Sequence, residues 1–85
     1  MTILRTCSFE KDFKKLPSIV QEGFVKQLGF FLTDPFHHSL QTKKMHGTAS
    51  IWEVRITRGY RFTFTREVNI VYLRRIGTHD ILRNP

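Results

Sequence analysis

The sequence is poor in cysteine, in acidic residues and in long apolar runs, and each shortage excludes a class of protein. Cys7 is its only cysteine, so no disulfide can form within the chain and a disulfide-stapled secreted domain is excluded. We expect Cys7 to be a small buried hydrophobe. No apolar stretch approaches the roughly 20 residues that a membrane helix needs. The start, Met1 to Arg5, lacks the pattern of a signal peptide, which predicts a protein of the reducing cytoplasm without a membrane partner.

The shortage of acidic residues leaves a strongly basic chain. Its 85 residues, which predict a single domain over 1–85, include 14 Lys and Arg against 7 Asp and Glu, a formal net charge of +7. The excess lies after residue 35, where nine basic residues stand against three acidic ones and where all four histidines are found. This asymmetry predicts that the first half packs while the second half contacts a polyanion such as RNA or DNA. The alternative is a basic protein kept soluble by its charge.

Helical spacing dominates the first half. A short β-favouring run over residues 1–7 predicts one strand. Ser8 is then placed to cap a first helix, and Pro17 ends that helix or begins the next one. The second helix stops at Asp34-Pro35. The residues predicted to face the core from these two helices are Phe9, Phe13, Leu16, Val20, Phe24, Leu28 and Phe31.

Residues 36–50 have no steady apolar period and predict a long connecting loop, a kind of segment that is often functional. Its polar and basic residues include His37, His38, Lys43, Lys44 and His46. No Cys or carboxylate spacing completes a metal site around these histidines. We therefore predict no metal and no other cofactor.

From Ile51 the apolar period changes to two, which predicts strands. Residues 52–57 and 60–65 form a hairpin around a tight turn at Arg58-Gly59. Residues 70–73, apolar on both parities, form an inner strand. The predicted fold is α+β: two N-terminal helices packed on one face of a small, mainly antiparallel four-stranded sheet, in the order β-α-α-β-β-β.

The strand pleat puts the hairpin's aromatic residues on the face that the helices cover and Glu53, Arg55 and Arg61 on the uncovered, basic face. RNA cleavage without a metal needs two proton transfers and stabilisation of charge on the phosphate. Histidine can carry protons near neutral pH, and arginine grips phosphate oxygens. His79, just beyond the last strand, could therefore converge with Arg55 and Arg61 on one phosphate.

The second proton carrier stays open among four loop residues: His46, His38, Lys43 and Lys44. Each single feature also has an ordinary structural explanation. Arg55 and Arg61 on a strand face are commonly solvated or paired with an acid such as Glu53. His79-Asp80 could simply form a turn.

Two segments carry a resemblance to a known family. They are Ile51-Trp52-Glu53-Val54-Arg55-Ile56-Thr57-Arg58-Gly59-Tyr60-Arg61-Phe62 and Arg75-Ile76-Gly77-Thr78-His79-Asp80. The chain resembles the RelE/ParE superfamily of bacterial toxin-antitoxin toxins, and within it the YafQ- and YoeB-like mRNA endonucleases. The resemblance implies a cytoplasmic toxin that cuts mRNA in the decoding site of the ribosome. It also implies an acidic antitoxin, through which alone the toxin would act on operator DNA.

Carried over residue by residue, the resemblance places Arg61 on the family's phosphate-stabilising arginine, His79 on its catalytic histidine and Arg55 on a commonly basic sheet position. We take these three as the predicted catalytic residues. The predicted RNA contacts are Lys43, Lys44, His46, His38 and Arg75. A second sheet histidine of YafQ-like toxins has no counterpart here, and Leu82 stands where an aromatic residue is often found.

Two other functions fit the same fold. A ParE-like inhibitor of DNA gyrase would need no catalytic histidine. A nucleic-acid-binding member without activity would bind RNA in a salt-dependent way and leave it intact.

Overall fold

The computed structural model of the chain describes residues 1–45, 47 and 50–85. Over these residues it has two α-helices and one five-stranded sheet of order β1-β5-β4-β3-β2. The elements are β1 (Thr2–Arg5), α1 (Cys7–Lys14), α2 (Ser18–Thr33), β2 (Lys43–Lys44), β3 (Trp52–Thr57), β4 (Tyr60–Glu67) and β5 (Ile70–Gly77), with short 3-10 helices at His38–Leu40 and His79–Arg83. The predicted α+β class is confirmed, and two helices lie in the predicted N-terminal part of the chain. None of the described helices has the length and apolar character that crossing a membrane requires.

The sheet is mainly antiparallel, as predicted, but it has five strands instead of four. β1 pairs parallel with β5, and all other pairs are antiparallel. The added strand is β2, in which Lys43 lies opposite Glu53 and Lys44 opposite Trp52. Two residues are too few to produce a recognisable alternation, so the sequence pattern showed only a loop.

The core lies between α2 and the apolar face of the β3–β4 hairpin. The ring of Phe62, which is fully buried, meets Phe24 at 5.3 Å and Phe31 at 5.8 Å between centroids, both in edge-to-face geometry. Phe31 packs in the same way on Phe64 at 5.0 Å. Such contacts add to the free energy gained by burying the rings. They fix α2 on one face of the sheet and leave the other face to polar side chains.

Helix α1 begins two residues earlier than the sequence pattern indicated, because Thr6 rather than Ser8 caps it. The Thr6 hydroxyl oxygen accepts a hydrogen bond from the Phe9 amide at 3.1 Å and donates one to the carbonyl of Arg74 at 2.9 Å. One side chain thus both caps α1 and ties it to β5. Cys7 occupies the first position of the helix and is exposed, so the prediction that it is buried is wrong.

Strand β5 contains a β-bulge near its C-terminal end. Thr63 lies opposite Arg75 whereas Phe64 lies opposite Leu73, so Arg74 is an extra residue in the ladder. Because of the extra residue, the side chains that follow it in β5 point to the opposite faces of the sheet from those that strict alternation would give. Arg75 is one of these residues.

The carboxylate of Asp12 in α1 holds this bulge. It accepts two hydrogen bonds from the guanidinium of Arg75, at 2.6 Å from Nε and 3.3 Å from Nη2, and one from the amide of Ile76 at 3.2 Å. The hydrogen bond to Asp12 raises the pKa of Arg75 by more than burial lowers it. Arg75 also donates to the carbonyl of Asn84 at 3.1 Å. The end of β5 is therefore fastened both to α1 and to the C-terminal segment.

Replacing Asp12 with alanine should lower the free energy of unfolding by about 2 kcal/mol, because charge-assisted hydrogen bonds contribute roughly 1.5–3 kcal/mol. Glu10→Ala is the matched control on the same helix, since the Glu10 carboxylate lies 3.9 Å from Arg5 and both side chains are more than half exposed. The control should change stability by less than about 0.5 kcal/mol. Urea denaturation measures both values, and equal effects would contradict the role given to Asp12.

Candidate functional site

A polar cleft of about 370 Å³ opens on the face of the sheet that the helices leave free. Its walls come from the segment just before β2, from β2, β3 and β4, and from the turn between β3 and β4. The lining residues are Gln41, Lys43, Glu53, Arg55, Arg58 and Arg61. Four basic side chains and one acidic side chain give the lining a formal charge of 4 − 1 = +3. Such a concave cationic surface attracts anions.

Two arginines stand side by side in the cleft. Arg55 on β3 and Arg61 on β4 are cross-strand partners, an arrangement that is destabilising for like charges. Glu53 compensates, because its Oε1 lies 2.9 Å from Nη1 of Arg61. Only 9% of the Glu53 side chain and 18% of the Arg61 side chain are exposed. The pairing of Glu53 with Arg61, raised in the sequence analysis as an ordinary structural explanation, is thus present.

The other cations of the cleft are not neutralised. Among the described residues, the side chains of Lys43, Arg55 and Arg58 form no ion pair. The guanidinium of Arg55 is therefore available to an external anion, whereas that of Arg61 is paired with Glu53. A phosphate group matches the bidentate geometry of such arginines.

Gln27 of α2 positions the cleft from the opposite side of the sheet. Its side chain is buried, and its Nε2 donates to the carbonyl of Arg55 at 2.9 Å and to the carbonyl of Ser39 at 3.2 Å. The Arg55 carbonyl lies where the β3–β4 register shifts, between Arg55 and Thr57. One amide thus links α2, the loop that leads to β2, and the irregular part of β3. Sequence reasoning missed Gln27, although its helical spacing from Phe24 and Phe31 places it on the core side of α2.

His79 lies beyond the end of β5, near the same end of the hairpin as Arg61. The strand ends at Gly77, which is the cross-strand partner of Arg61, and the 3-10 helix of His79–Arg83 follows at once. This helix packs tightly on the strand, since a Cβ added at Gly77 would lie 2.9 Å from Cγ2 of Ile81. A larger residue at position 77 would therefore force the Ile81 side chain to shift. His79 itself is exposed, does not line the cleft, and its side chain makes no hydrogen bond with the described residues.

The remaining predicted RNA contacts are scattered. Lys43 lines the cleft, and Lys44 lines a neighbouring groove of about 310 Å³. His38 is exposed and its ring stacks on that of His37 at 4.5 Å, outside the cleft. Arg75 is bound to Asp12, as described above, so the structure gives it a role in fastening β5. His46 lies outside the described residues.

The structure adds two residues to the site that sequence reasoning had not selected. Arg58 had been interpreted only as part of a turn, yet it lines the cleft, and so does Gln41 in a left-handed conformation with φ of 48°. Neither residue carries a signal in its immediate sequence, because both reach the cleft from segments between strands. The described part of the chain has no group of three or more His, Cys, Asp or Glu side chains suited to a metal ion.

Several solved structures have the same architecture. The chain is similar to a YoeB/ParE toxin from Agrobacterium tumefaciens, with a TM-score of 0.79 and 19% identity over 93% of this chain and 99% of that one. It is similar to the RelB-RelE antitoxin-toxin complex from Methanococcus jannaschii, with a TM-score of 0.77 and 17% identity over 95% of both chains. The chain has the RelE/ParE toxin fold. YafQ from E. coli strain BL21(DE3) is similar as well, with a TM-score of 0.70 and 16% identity over 94% of both chains.

No protein-family model matches the sequence, and no curated protein matches it. At identities below one fifth, the similarity to RelE/ParE toxins concerns the fold. The function of the cleft therefore has to be argued from the residues of this chain.

Replacing Glu53 with glutamine removes the one negative charge of the cleft and should lower the free energy of unfolding by about 2–3 kcal/mol. The loss arises because Arg61 and Arg55 then face each other without a counter-charge. Inorganic phosphate should restore part of the melting temperature, since an anion bound in the cleft stabilises the folded state.

Asp80→Asn is the control for this variant. The Asp80 carboxylate lies 3.9 Å from Arg83 and both side chains are more than 80% exposed, so its loss should have little effect. Thermal melts with and without phosphate measure both variants. A Glu53→Gln protein as stable as wild type, with no extra response to phosphate, would show that the cleft does not depend on this carboxylate.

Proposed function

We propose that the chain is the toxin of a bacterial type II toxin-antitoxin system and that it is a metal-independent endoribonuclease acting on mRNA at the ribosome. The observation that carries the proposal is the cleft with a charge of +3, in which Arg55 is free and Arg61 is only partly neutralised. The fold supports it, since structures with the same architecture include YoeB/ParE, RelE and YafQ toxins.

The proposed chemistry begins with the scissile phosphate bound between Arg55 and Arg61. The ribose 2′-oxygen loses its proton and attacks phosphorus, the bond to the 5′-oxygen breaks, and that oxygen takes up a proton. Because the extra negative charge develops on the phosphate oxygens, fixed guanidinium groups stabilise the transition state more than the ground state. Arg58 and Lys43 lie on the same cleft and extend the binding of the RNA backbone.

His79 carries one of the two proton transfers in this proposal. It is exposed and close in the chain to Gly77, the partner of Arg61, so an RNA strand that crosses the cleft can reach it. Its ring has no hydrogen-bond partner among the described residues and is thus available to substrate. Of the candidates for the second transfer that the structure describes, Lys43 lines the cleft, Lys44 lines a neighbouring groove and His38 lies outside the cleft.

We propose an acidic antitoxin as the partner of this basic chain, and the cytoplasm as their location. Solved structures with this fold include a RelB-RelE antitoxin-toxin complex and a DinJ-YafQ complex, and the formal charge of +7 suits an acidic partner. A short reading frame for an acidic protein next to this gene would support the proposal directly.

A gyrase inhibitor on the same fold is the second candidate. The observation that favours it is the position of His79, which is absent from the lining of the cleft. Such an inhibitor would cause DNA damage signalling while leaving mRNA intact.

Replacing His79 with alanine should slow mRNA cleavage by about 10²–10⁴-fold, the usual contribution of a general acid or base, and should relieve growth inhibition. Arg83→Ala, on the same 3-10 helix and 86% exposed at its side chain, should leave cleavage close to wild type. Mapping of mRNA 5′ ends after induction measures the cleavage. If the His79→Ala protein folds, remains toxic and induces DNA damage signalling while mRNA stays intact, the chain is a gyrase inhibitor and the nuclease hypothesis is wrong.

A further inference from the structure

Three aromatic rings form a column near the C-terminal end of α2. The ring of Phe30 stacks on that of His37, with 4.6 Å between centroids and 22° between the planes. His37 stacks in turn on His38, at 4.5 Å and 25°. Phe30 and His37 are half-buried, whereas His38 is exposed. The ring of His38 is therefore the outer end of the column.

Hydrogen bonds and a buried anchor fix the middle ring of the column. Nδ1 of His37 accepts a hydrogen bond from the amide of Ser39 at 3.2 Å and lies 2.8 Å from the hydroxyl oxygen of Ser39. Leu40, the last residue of the 3-10 helix of His38–Leu40, is fully buried. The rings are thus held in place before any ligand binds, and such preorganisation reduces the cost of binding.

The second face of the His38 ring has no ring partner among the described residues. Its side chain also forms no ion pair or hydrogen bond with them. The two outer rings of the column are imidazoles with polar nitrogens, which suit a planar heterocycle with polar edges better than a purely apolar side chain. Unpaired RNA bases are such heterocycles, and proteins stack them on histidine and other aromatic rings.

Backbone hydrogen bonds connect the column to the cationic cleft. The carbonyl of His38 accepts a hydrogen bond from the amide of Gln41 at 3.3 Å, and Gln41 lines the cleft. The carbonyl of Ser39 binds the side chain of Gln27, which also donates to the carbonyl of Arg55. The Cα atoms of His38 and Gln41 lie within about 11 Å, because consecutive Cα atoms are about 3.8 Å apart. One RNA strand can therefore contact both the cleft and the column.

We propose that His38, supported by His37 and Phe30, is a stacking platform for one unpaired base of an RNA strand whose backbone lies in the cleft. As part of the proposed function, on which it rests, this platform adds a base-binding subsite to a phosphate-binding one. Every base has a π-face, so stacking tolerates sequence, and the platform contributes affinity and position rather than a choice of base. His38 then acts by stacking and not by proton transfer, which agrees with its place outside the cleft.

The test separates stacking from charge with a single-stranded 2′-O-methyl RNA, measured by fluorescence anisotropy at about pH 8, where histidine is ordinarily neutral. His38→Ala should weaken binding by about 5–100-fold, the range expected for one stacked base. It should leave the slope of log affinity against log salt concentration unchanged, because no phosphate contact is lost. His38→Phe keeps an aromatic ring and is the matched variant, which should bind like wild type. His38 is exposed, so both variants should fold, which circular dichroism checks.

An abasic 2′-O-methyl strand of the same length is the control ligand. Wild type and His38→Ala should bind it equally, since it offers no base to stack. Three results would each overturn the platform: His38→Ala binding the base-containing RNA as strongly as wild type, His38→Phe binding it as weakly as His38→Ala, or a reduced salt slope for His38→Ala, which would indicate a phosphate contact instead. The proposed function would survive these results if Arg55→Gln still reduced the salt slope. A wild-type chain that binds neither strand and cleaves no mRNA would overturn both.

Discussion

The buried ion pair between Glu53 and Arg61 is the constraint on which the basic face of the sheet depends. Two arginines are held opposite each other on adjacent strands, and the pairing of these strands is required by the phenylalanine core on the other face. The strands cannot separate the charges without losing that core. The Glu53 carboxylate, 2.9 Å from Arg61, reduces the repulsion between the two arginines. It neutralises the charge of Arg61, whereas the charge of Arg55 remains available to a ligand. The stability of the hairpin and the affinity of the cleft for anions are therefore set by the same side chain.

A second set of contacts fixes the chain end that carries His79. Thr6 and Asp12, both from the region of α1, bind the β5 segment around the bulge. Arg75 in turn donates a hydrogen bond to the carbonyl of Asn84 and so fixes the C-terminal segment as well. Because Gly77 is paired with Arg61, the position of the 3-10 helix relative to the cleft follows from these contacts. The predicted catalytic histidine is exposed, yet the backbone on each side of it is held by hydrogen bonds and by the packing of Ile81.

The parts of this structure that follow a regular period could be predicted from the sequence. Alternation across residues 52–65 was enough to place Arg55 and Arg61 on one face, and helical spacing was enough to place Phe24 and Phe31 in the core. The features that could not be predicted depend on single contacts between residues that are distant in the sequence. Leu73 and Ile76, three positions apart, both face the core only because of the bulge at Arg74, and that bulge is held by Asp12 from another element. The strand β2 and the lining residue Arg58 are of the same kind, since no local pattern encodes them. The helical spacing of Gln27 from Phe24 and Phe31 does place it on the core side of α2, but its two carbonyl partners lie in other elements.

In the proposed function, Arg55 and its neighbours in the cleft bind the RNA backbone. The most direct test is the salt dependence of the dissociation constant for a single-stranded RNA made non-cleavable by 2′-O-methylation. Each phosphate contact contributes about 0.7 to the slope of log affinity against log salt concentration for single strands. Arg55→Gln should reduce that slope by about this amount, whereas Arg83→Gln, which removes an equal charge outside the cleft, should leave it unchanged. Equal slopes for wild type and Arg55→Gln would show that Arg55 does not contact an RNA phosphate.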